Sequence, residues 1–298
     1  MEPGLTGCEG AMKAPPFAYR LAEDLPQALD LYARSEGEAV YLAGGHSIVP
    51  SLSLRLQAPA LLIDISRISA LAGLSVGPEG LRIGAITPHA VLLEDPLVAD
   101  HAPLLVEAAR HVAHPAIRNR ATFGGNLVLA DPASEFPAVV RALRAVLEVE
   151  GPDGARQIAA DEFFLDLYTT ALEPGEILRS VLIPPPAPGQ RVAFAELARR
   201  RGDFAMVGAA LRLVPEAGLI GSADIVFHSV GLTPMRAVAA EAALVGRALD
   251  EAAIAAACAA VAQDIEPSED PVLPAATRLH LAGVLLGRLL RRVQGEWA

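Results

Sequence analysis

The run Pro184-Pro185-Pro186-Ala187-Pro188-Gly189 most constrains what this chain can fold into. Its prolines remove backbone donors and fix φ, so neither a helix nor a strand ladder can cross the segment. It parts two unlike patterns. On its N-terminal side, apolar spacing at Leu25, Ala28, Leu29 and Tyr32 predicts a helix over residues 21–33. Strands are expected over residues 39–43, 61–65, 81–86, 145–149, 156–159 and 177–183. Asp64 lies inside the second of these, and Gly151-Pro152-Asp153-Gly154 reads as a hairpin turn between the fourth and fifth. Pro88 marks a possible helix start, and residues 103–112 read as a buried helix. On the C-terminal side, residues 191–198, 206–214 and 223–230 read as antiparallel strands, followed by helices over 236–245, 250–263 and 275–293. Strands first and helices afterwards argue an α+β class. The expected organisation is a polar leader over residues 1–11, one domain over 12–187 and a smaller one over 188–298, with no internal repeat.

Composition narrows the chemistry. A chain of 298 residues suggests about two domains. The net charge of −11 denies it the basic face that a phosphate-tracking protein needs, so nucleic-acid binding is excluded as a general role. Lys13 is the single lysine, which removes Schiff-base chemistry, a Walker-type lysine and Ser–Lys catalysis from the body of the protein. Two cysteines, Cys8 and Cys258, neither staple a disulfide framework nor ligate an iron–sulfur cluster, so any cluster sits on another chain. No signal-peptide core opens the sequence, and the longest apolar run, residues 252–262, is too short to span a bilayer. A cytoplasmic protein without a membrane span is expected.

Two loops draw attention. Ala43-Gly44-Gly45-His46-Ser47-Ile48 directly follows a predicted strand. Its glycines permit positive φ and let amides converge on an anion; the alternative is an ordinary tight turn. A serine-hydrolase elbow needs Gly-x-Ser-x-Gly, and Val49 stands where the last glycine would be. The second loop is Thr122-Phe123-Gly124-Gly125-Asn126, preceded by Arg118 and Arg120 and followed by Asp131-Pro132-Ala133-Ser134. A threonine hydroxyl, two glycine amides and an asparagine amide can satisfy a diphosphate, and Asp131 is suited to a ribose hydroxyl; a structural loop is the competing reading. The Rossmann signature is absent. Arg199-Arg200-Arg201-Gly202-Asp203-Phe204-Ala205 is either a solvated charge run or a segment reaching back over a cofactor or partner. His111 and His114, three apart on a predicted helix, fit capping or core roles better than a metal site, because no zincin glutamate follows.

Taken in order, Ala43 to Ser47, Leu61-Leu62-Ile63-Asp64-Ile65, Leu81-Arg82-Ile83-Gly84-Ala85, Thr122 to Asn126 with Asp131-Pro132-Ala133-Ser134, Glu176-Ile177-Leu178 and Gly202-Asp203-Phe204-Ala205 resemble the FAD-binding medium subunit of the molybdenum hydroxylases, in its carbon monoxide dehydrogenase branch. The resemblance runs from Met12 to the C-terminal helix. It implies a vanillyl-alcohol-oxidase-like (PCMH-type) FAD-binding domain followed by a smaller α+β C-terminal domain of the CO dehydrogenase flavoprotein type. It also implies that Ala43, Gly44, Gly45, His46, Ser47 and Ile48, together with Thr122, Phe123, Gly124, Gly125 and Asn126, hold FAD. Asp131 would bind a ribose hydroxyl, and Leu178 and Asp203 would lie near the flavin ring. Ala116, Ala121 and Thr277 stand where the family often has Gln, Gly and Tyr, and a positive φ at Ala121 would be strained.

The resemblance further implies partners: a large molybdopterin-binding subunit and a small [2Fe–2S] subunit in a heterotrimer or its dimer, with electrons passed from FAD to an external acceptor. No catalytic acid, base or nucleophile and no metal ligand is assigned to this chain. The alternatives are a free-standing FAD-dependent oxidoreductase with its own substrate, and an assembly protein that keeps the fold without the cofactor.

Overall fold

The structure, a computed structural model, describes residues 14–267, 269–270 and 273–296; the predicted leader, Cys8 and Lys13 lie outside the described residues. Three parallel strands open the chain, β1 (Ala18–Leu21), β2 (Ala39–Leu42) and β3 (Leu61–Asp64), in the order β1-β3-β2. The helix between the first two runs over Leu25–Ala33 rather than from residue 21. Asp24 sets that start: its carboxylate accepts the Gln27 amide at 2.8 Å, Pro26 fills the first turn, and Leu21 already belongs to β1.

An antiparallel sheet follows, built from β4 (Leu74–Gly77), β5 (Gly80–Gly84), β6 (Val146–Gly151), β7 (Gly154–Ala159) and, after a small hairpin of β8 (Phe164–Asp166) and β9 (Thr169–Thr170), β10 (Ile177–Ile183). Its order is β4-β5-β10-β6-β7, which places the apolar β10 at the centre. Leu81, Ile83, Leu147, Val181 and Ile183 form the buried face, with strand periodicity of two. Short helices between β5 and β6 cover it, among them Pro103–Ala109, Phe123–Leu129 and Glu135–Ala142, and bring in Phe123 and Phe136. Four short helices in this region begin at a proline or just after one, the signature of repeated helix starts. The expected helix over 103–112 ends at Ala109, capped by Arg110. His111 therefore lies beyond it, and His114 precedes the next helix, Pro115–Arg118, so the two histidines do not share a helix face. Among the described residues no group of three potential ligands could hold a metal ion.

Residues 184–190 contain no strand or helix. The C-terminal sheet is β11 (Arg191–Leu197), β12 (Val207–Glu216), β13 (Leu219–His228) and β14 (Met235–Arg236), antiparallel and in chain order. β13 begins four residues earlier than its apolar run suggests, because Ala217 and Gly218, at φ 51° and 81°, turn β12 directly into it. Met235 and Arg236 pair with β13, which shortens the expected helix over 236–245 to Val238–Ala242. Ala209, Leu211, Leu213, Ile225 and Phe227 pack on the helices Glu251–Ala260 and Ala275–Gln294. On the other face Phe194, Ala210 and Val226 join the core of the N-terminal half. The sheet is thus buried on both faces, and its inner face is the seam between the two halves.

Candidate functional site

β2 ends at Leu42 and delivers the chain into Ala43-Gly44-Gly45, with Gly45 at φ 79°, before the helix Ile48–Ser53. Among the described residues, the amides of Gly44, Gly45, His46, Ser47 and Ile48 donate to no group. Ser47 makes no side-chain cap bond and is exposed. Five successive free donors around a positive-φ glycine form a concave nest suited to an anion bearing several oxygens.

The Thr122–Asn126 segment is not an open loop but the start of the helix Phe123–Leu129, with Thr122 as its cap. Its amides are mostly spent: Phe123 donates to Thr87 O at 2.9 Å, Gly124 to Ala85 O at 2.7 Å, Gly125 to Thr122 Oγ1 at 3.3 Å and Asn126 to Thr122 O at 3.0 Å. Its glycines serve close approach. A Cβ at Gly124 would stand 2.5 Å from Ala85 Cβ. A Cβ at Gly125 would reach 2.7 Å from Thr122 Oγ1 and 3.9 Å from Ala43 Cβ. A Cβ at Gly44 would clash with the Arg120 carbonyl oxygen and stand 3.0 Å from Ala121 Cα. The two glycine pairs therefore lie side by side, the first supplying free amides and the second a packed wall with the Thr122 hydroxyl and exposed Gly125. Ala121 avoids positive φ; its carbonyl accepts the His89 amide at 3.0 Å.

Asn126 donates through Nδ2 to Ser134 Oγ at 3.1 Å, while its buried Oδ1 has no partner among the described residues. Asp131 follows Ala130, which closes the helix at φ 52°, and accepts the Ala133 amide at 2.9 Å. Tyr168 faces Asp131; burial first, then the carboxylate, push its phenol up. Leu178 is buried in β10 opposite Val149, and Asp203 is exposed on the turn after Gly202, at φ 84°. Among the described residues no hydrogen bond joins Leu178 or Asp203 to either glycine pair. The turn does reach the N-terminal half, since a Cβ at Gly202 would stand 2.7 Å from His114 Cε1.

Sequence reasoning missed His89, Glu135 and Glu196. His89 is buried with both ring nitrogens unpartnered among the described residues, edge-on to Phe136 at 4.9 Å. Burial above all pushes its imidazole down to about 4, so it is neutral at neutral pH. His46 Nε2 is likewise buried and unpartnered among the described residues. Glu135 is pushed up to about 8, chiefly by burial and then by Glu196. No local pattern marks any of these; burial creates them.

The sequence model for the FAD-binding domain in molybdopterin dehydrogenase matches residues 15–186, and that for the CO dehydrogenase flavoprotein C-terminal domain matches residues 192–293. The chain is 36% identical to the carbon monoxide dehydrogenase medium chain of Afipia carboxidovorans, over 94% of this chain and 97% of that one. It is 38% identical to the 6-hydroxypseudooxynicotine dehydrogenase complex subunit alpha of Paenarthrobacter nicotinovorans, over 86% and 87%. The fold superposes on carbon monoxide dehydrogenase from Hydrogenophaga pseudoflava, in a form lacking the Mo-pyranopterin moiety, with a TM-score of 0.93 and 37% identity, covering 96% of this chain and 100% of that one. The two domain models in this order, and relatives alike over nearly the whole length, show that the chain belongs to the FAD-binding medium subunits of the molybdenum hydroxylase family.

Proposed function

We propose that this chain is the electron-transfer flavoprotein of a cytoplasmic three-subunit complex or its dimer, with a large molybdopterin-binding subunit and a small [2Fe–2S] subunit as partners. FAD, when bound, supplies the redox chemistry by which electrons received from the small subunit pass to an external acceptor. The observation that carries this reading is the run of five free amides at Gly44–Ile48, lying against the Gly124–Gly125 wall. In it, Ala43 to Ile48 receive the diphosphate, with the Thr122 hydroxyl and Asn126 beside them, and Gly124 and Gly125 keep the wall thin. Asp131 takes a ribose hydroxyl, and Leu178 acts through its main chain because its side chain is in the core. Asp203 closes the site from the C-terminal half, whose division from the first at about residue 187 is supported by the irregular segment 184–190.

The named relatives act on carbon monoxide and on 6-hydroxypseudooxynicotine, so this chain's likeness to both leaves the substrate to the large subunit. Purification of the chain with its natural partners tests the proposal. A yellow complex whose flavin bleaches on adding substrate and recovers with an acceptor is expected. Substrate turnover by the isolated chain would instead favour a free-standing oxidoreductase, and a colourless, FAD-free complex would refute the assignment.

A further inference from the structure

Glu196, Gly208 and His228 form one cross-strand row on β11, β12 and β13. A side chain on the middle strand would hold the outer two apart, and a Cβ at Gly208 would fall within the His228 ring. Glycine lets His228 lean across, so that its Nε2 stands 3.9 Å from Glu196 Oε2. Both atoms are buried, and neither has a hydrogen-bond partner among the described residues. Phe194 stacks on His228 with ring centroids 5.7 Å apart and interplanar angle 10°.

The row looks onto the FAD-type half. His111 Nδ1 lies 3.4 Å from Glu196 Oε1. His228 Nδ1 lies 3.2 Å from Ser229 Oγ. The chain turns at Ser229, φ 60°, whose amide donates to the Pro132 carbonyl at 2.8 Å, and Arg278 Nη1 holds the Ser229 carbonyl at 2.9 Å. The buried row is thereby tied to the turn that begins at Asp131.

We propose that Glu196 and His228 are positioning residues for the FAD site, holding the Asp131–Ser134 turn, through the Ser229–Pro132 bond, in the arrangement that receives the ribose. This rests on the FAD reading of Asp131. The titratable groups around the pair are Glu135, from the helix that follows the turn, and His111 beyond the helix Pro103–Ala109, while Asp131 acts on Glu135. Glu107 of that helix accepts the Phe194 amide and pairs with Arg292, and Arg278 pairs with Asp270. Glu135, raised by burial and by Glu196, is protonated at neutral pH. Its ionisation at higher pH sets a third carboxylate beside Asp131 and Glu196, loosens the turn and weakens FAD binding.

The test is the FAD dissociation constant of the full apo-chain, read from flavin fluorescence across about pH 6 to 9.5, a span bracketing the raised carboxyl. Wild type should bind more weakly once the pH passes the Glu135 inflection. Glu196→Gln removes the like charge and should move that inflection down by about one unit. Gly208→Ala, which displaces His228 without touching the glycine loops, should weaken binding about tenfold throughout; His228→Gln, which keeps a polar side chain, should weaken it less. An inflection that stays in place in Glu196→Gln, including the case of a uniform loss at every pH, overturns the proposal. So does wild-type affinity in both Gly208→Ala and His228→Gln. Should Gly208→Ala fail to fold, Glu196→Gln and His228→Gln decide alone. Asp131→Ala separates the two readings: unchanged affinity there overturns the ribose assignment itself, whereas weakened affinity with unaltered Glu196→Gln and His228 variants leaves that assignment standing and removes only the positioning role.

Discussion

Asp224 on β13 accepts a hydrogen bond from Arg144 Nε at 2.9 Å and so binds the C-terminal sheet to the FAD-type half. Arg212 Nη1 at 2.6 Å and Arg236 Nη2 at 2.9 Å reach the same carboxylate, whose side chain is 1% exposed. Removing the anion leaves the largely buried Arg212 guanidinium without a charged partner, which costs more than the pair's net attraction. Asp224→Ala should lose about 3 kcal/mol of unfolding free energy in denaturant titration. A value within about 0.5 kcal/mol of wild type would show that the seam does not depend on this carboxylate.

Gly44→Val sets a branched side chain against the Arg120 carbonyl and Ala121 Cα, both backbone atoms that cannot step aside. The two glycine pairs must separate, so the purified variant should carry little FAD, read as a lost absorbance ratio between the flavin band and the protein band. The overpacking itself should cost about 1–3 kcal/mol. Full flavin occupancy would remove Gly44 from the site.

Glu135→Gln alters the response to pH. Its folded-state carboxyl lies at about 8, above the ordinary glutamate value, so the folded form binds the extra proton. That contribution is complete below the unfolded value and is lost as pH rises through the folded one. The variant should match wild type near pH 4, an approximate lower bound set by the unfolded carboxyl, and gain several degrees in Tm near pH 8. Equal melting curves at both pH values would place Glu135 in water.

His89 gives the opposite sign. Burial holds it at about 4, below the ordinary histidine value, so the unfolded chain takes up the proton first. Stability is present above the unfolded value and falls as pH drops toward the folded one. His89→Phe, a near-isosteric ring for the edge-on contact with Phe136, should flatten acid destabilisation by about 2–3 kcal/mol over that window. Unfolding monitored by circular dichroism would detect it, and an unchanged acid limb would refute it.

Legibility along the chain followed burial pattern. The strand expected over residues 177–183 is β10 residue for residue, because a central strand with one buried face keeps five apolar residues in seven and is stopped by Pro184 directly after Ile183. The Pro152-Asp153 turn between β6 and β7 was equally plain, with Gly154 at φ 102°. By contrast, β1 carries exposed Tyr19 and Arg20 at a sheet edge and leaves no alternation to read. The helix Phe123–Leu129 was hidden by its glycines. Thr122 caps it and Ala85 packs against Gly124, so tertiary contact overrides poor helix propensity.

By itself the sequence determined the α+β pattern, the interruption at Pro184–Gly189 and the presence of two glycine pairs, all of which are written in neighbouring residues. Tertiary structure alone decided that Gly44 touches Arg120, that the first pair keeps its amides free while the second spends them, and that Gly208 opens a path between Glu196 and His228. The physical reason is range. Propensity and periodicity act over a few residues, whereas close approach, desolvation and the fate of a backbone donor are settled only when distant segments pack together.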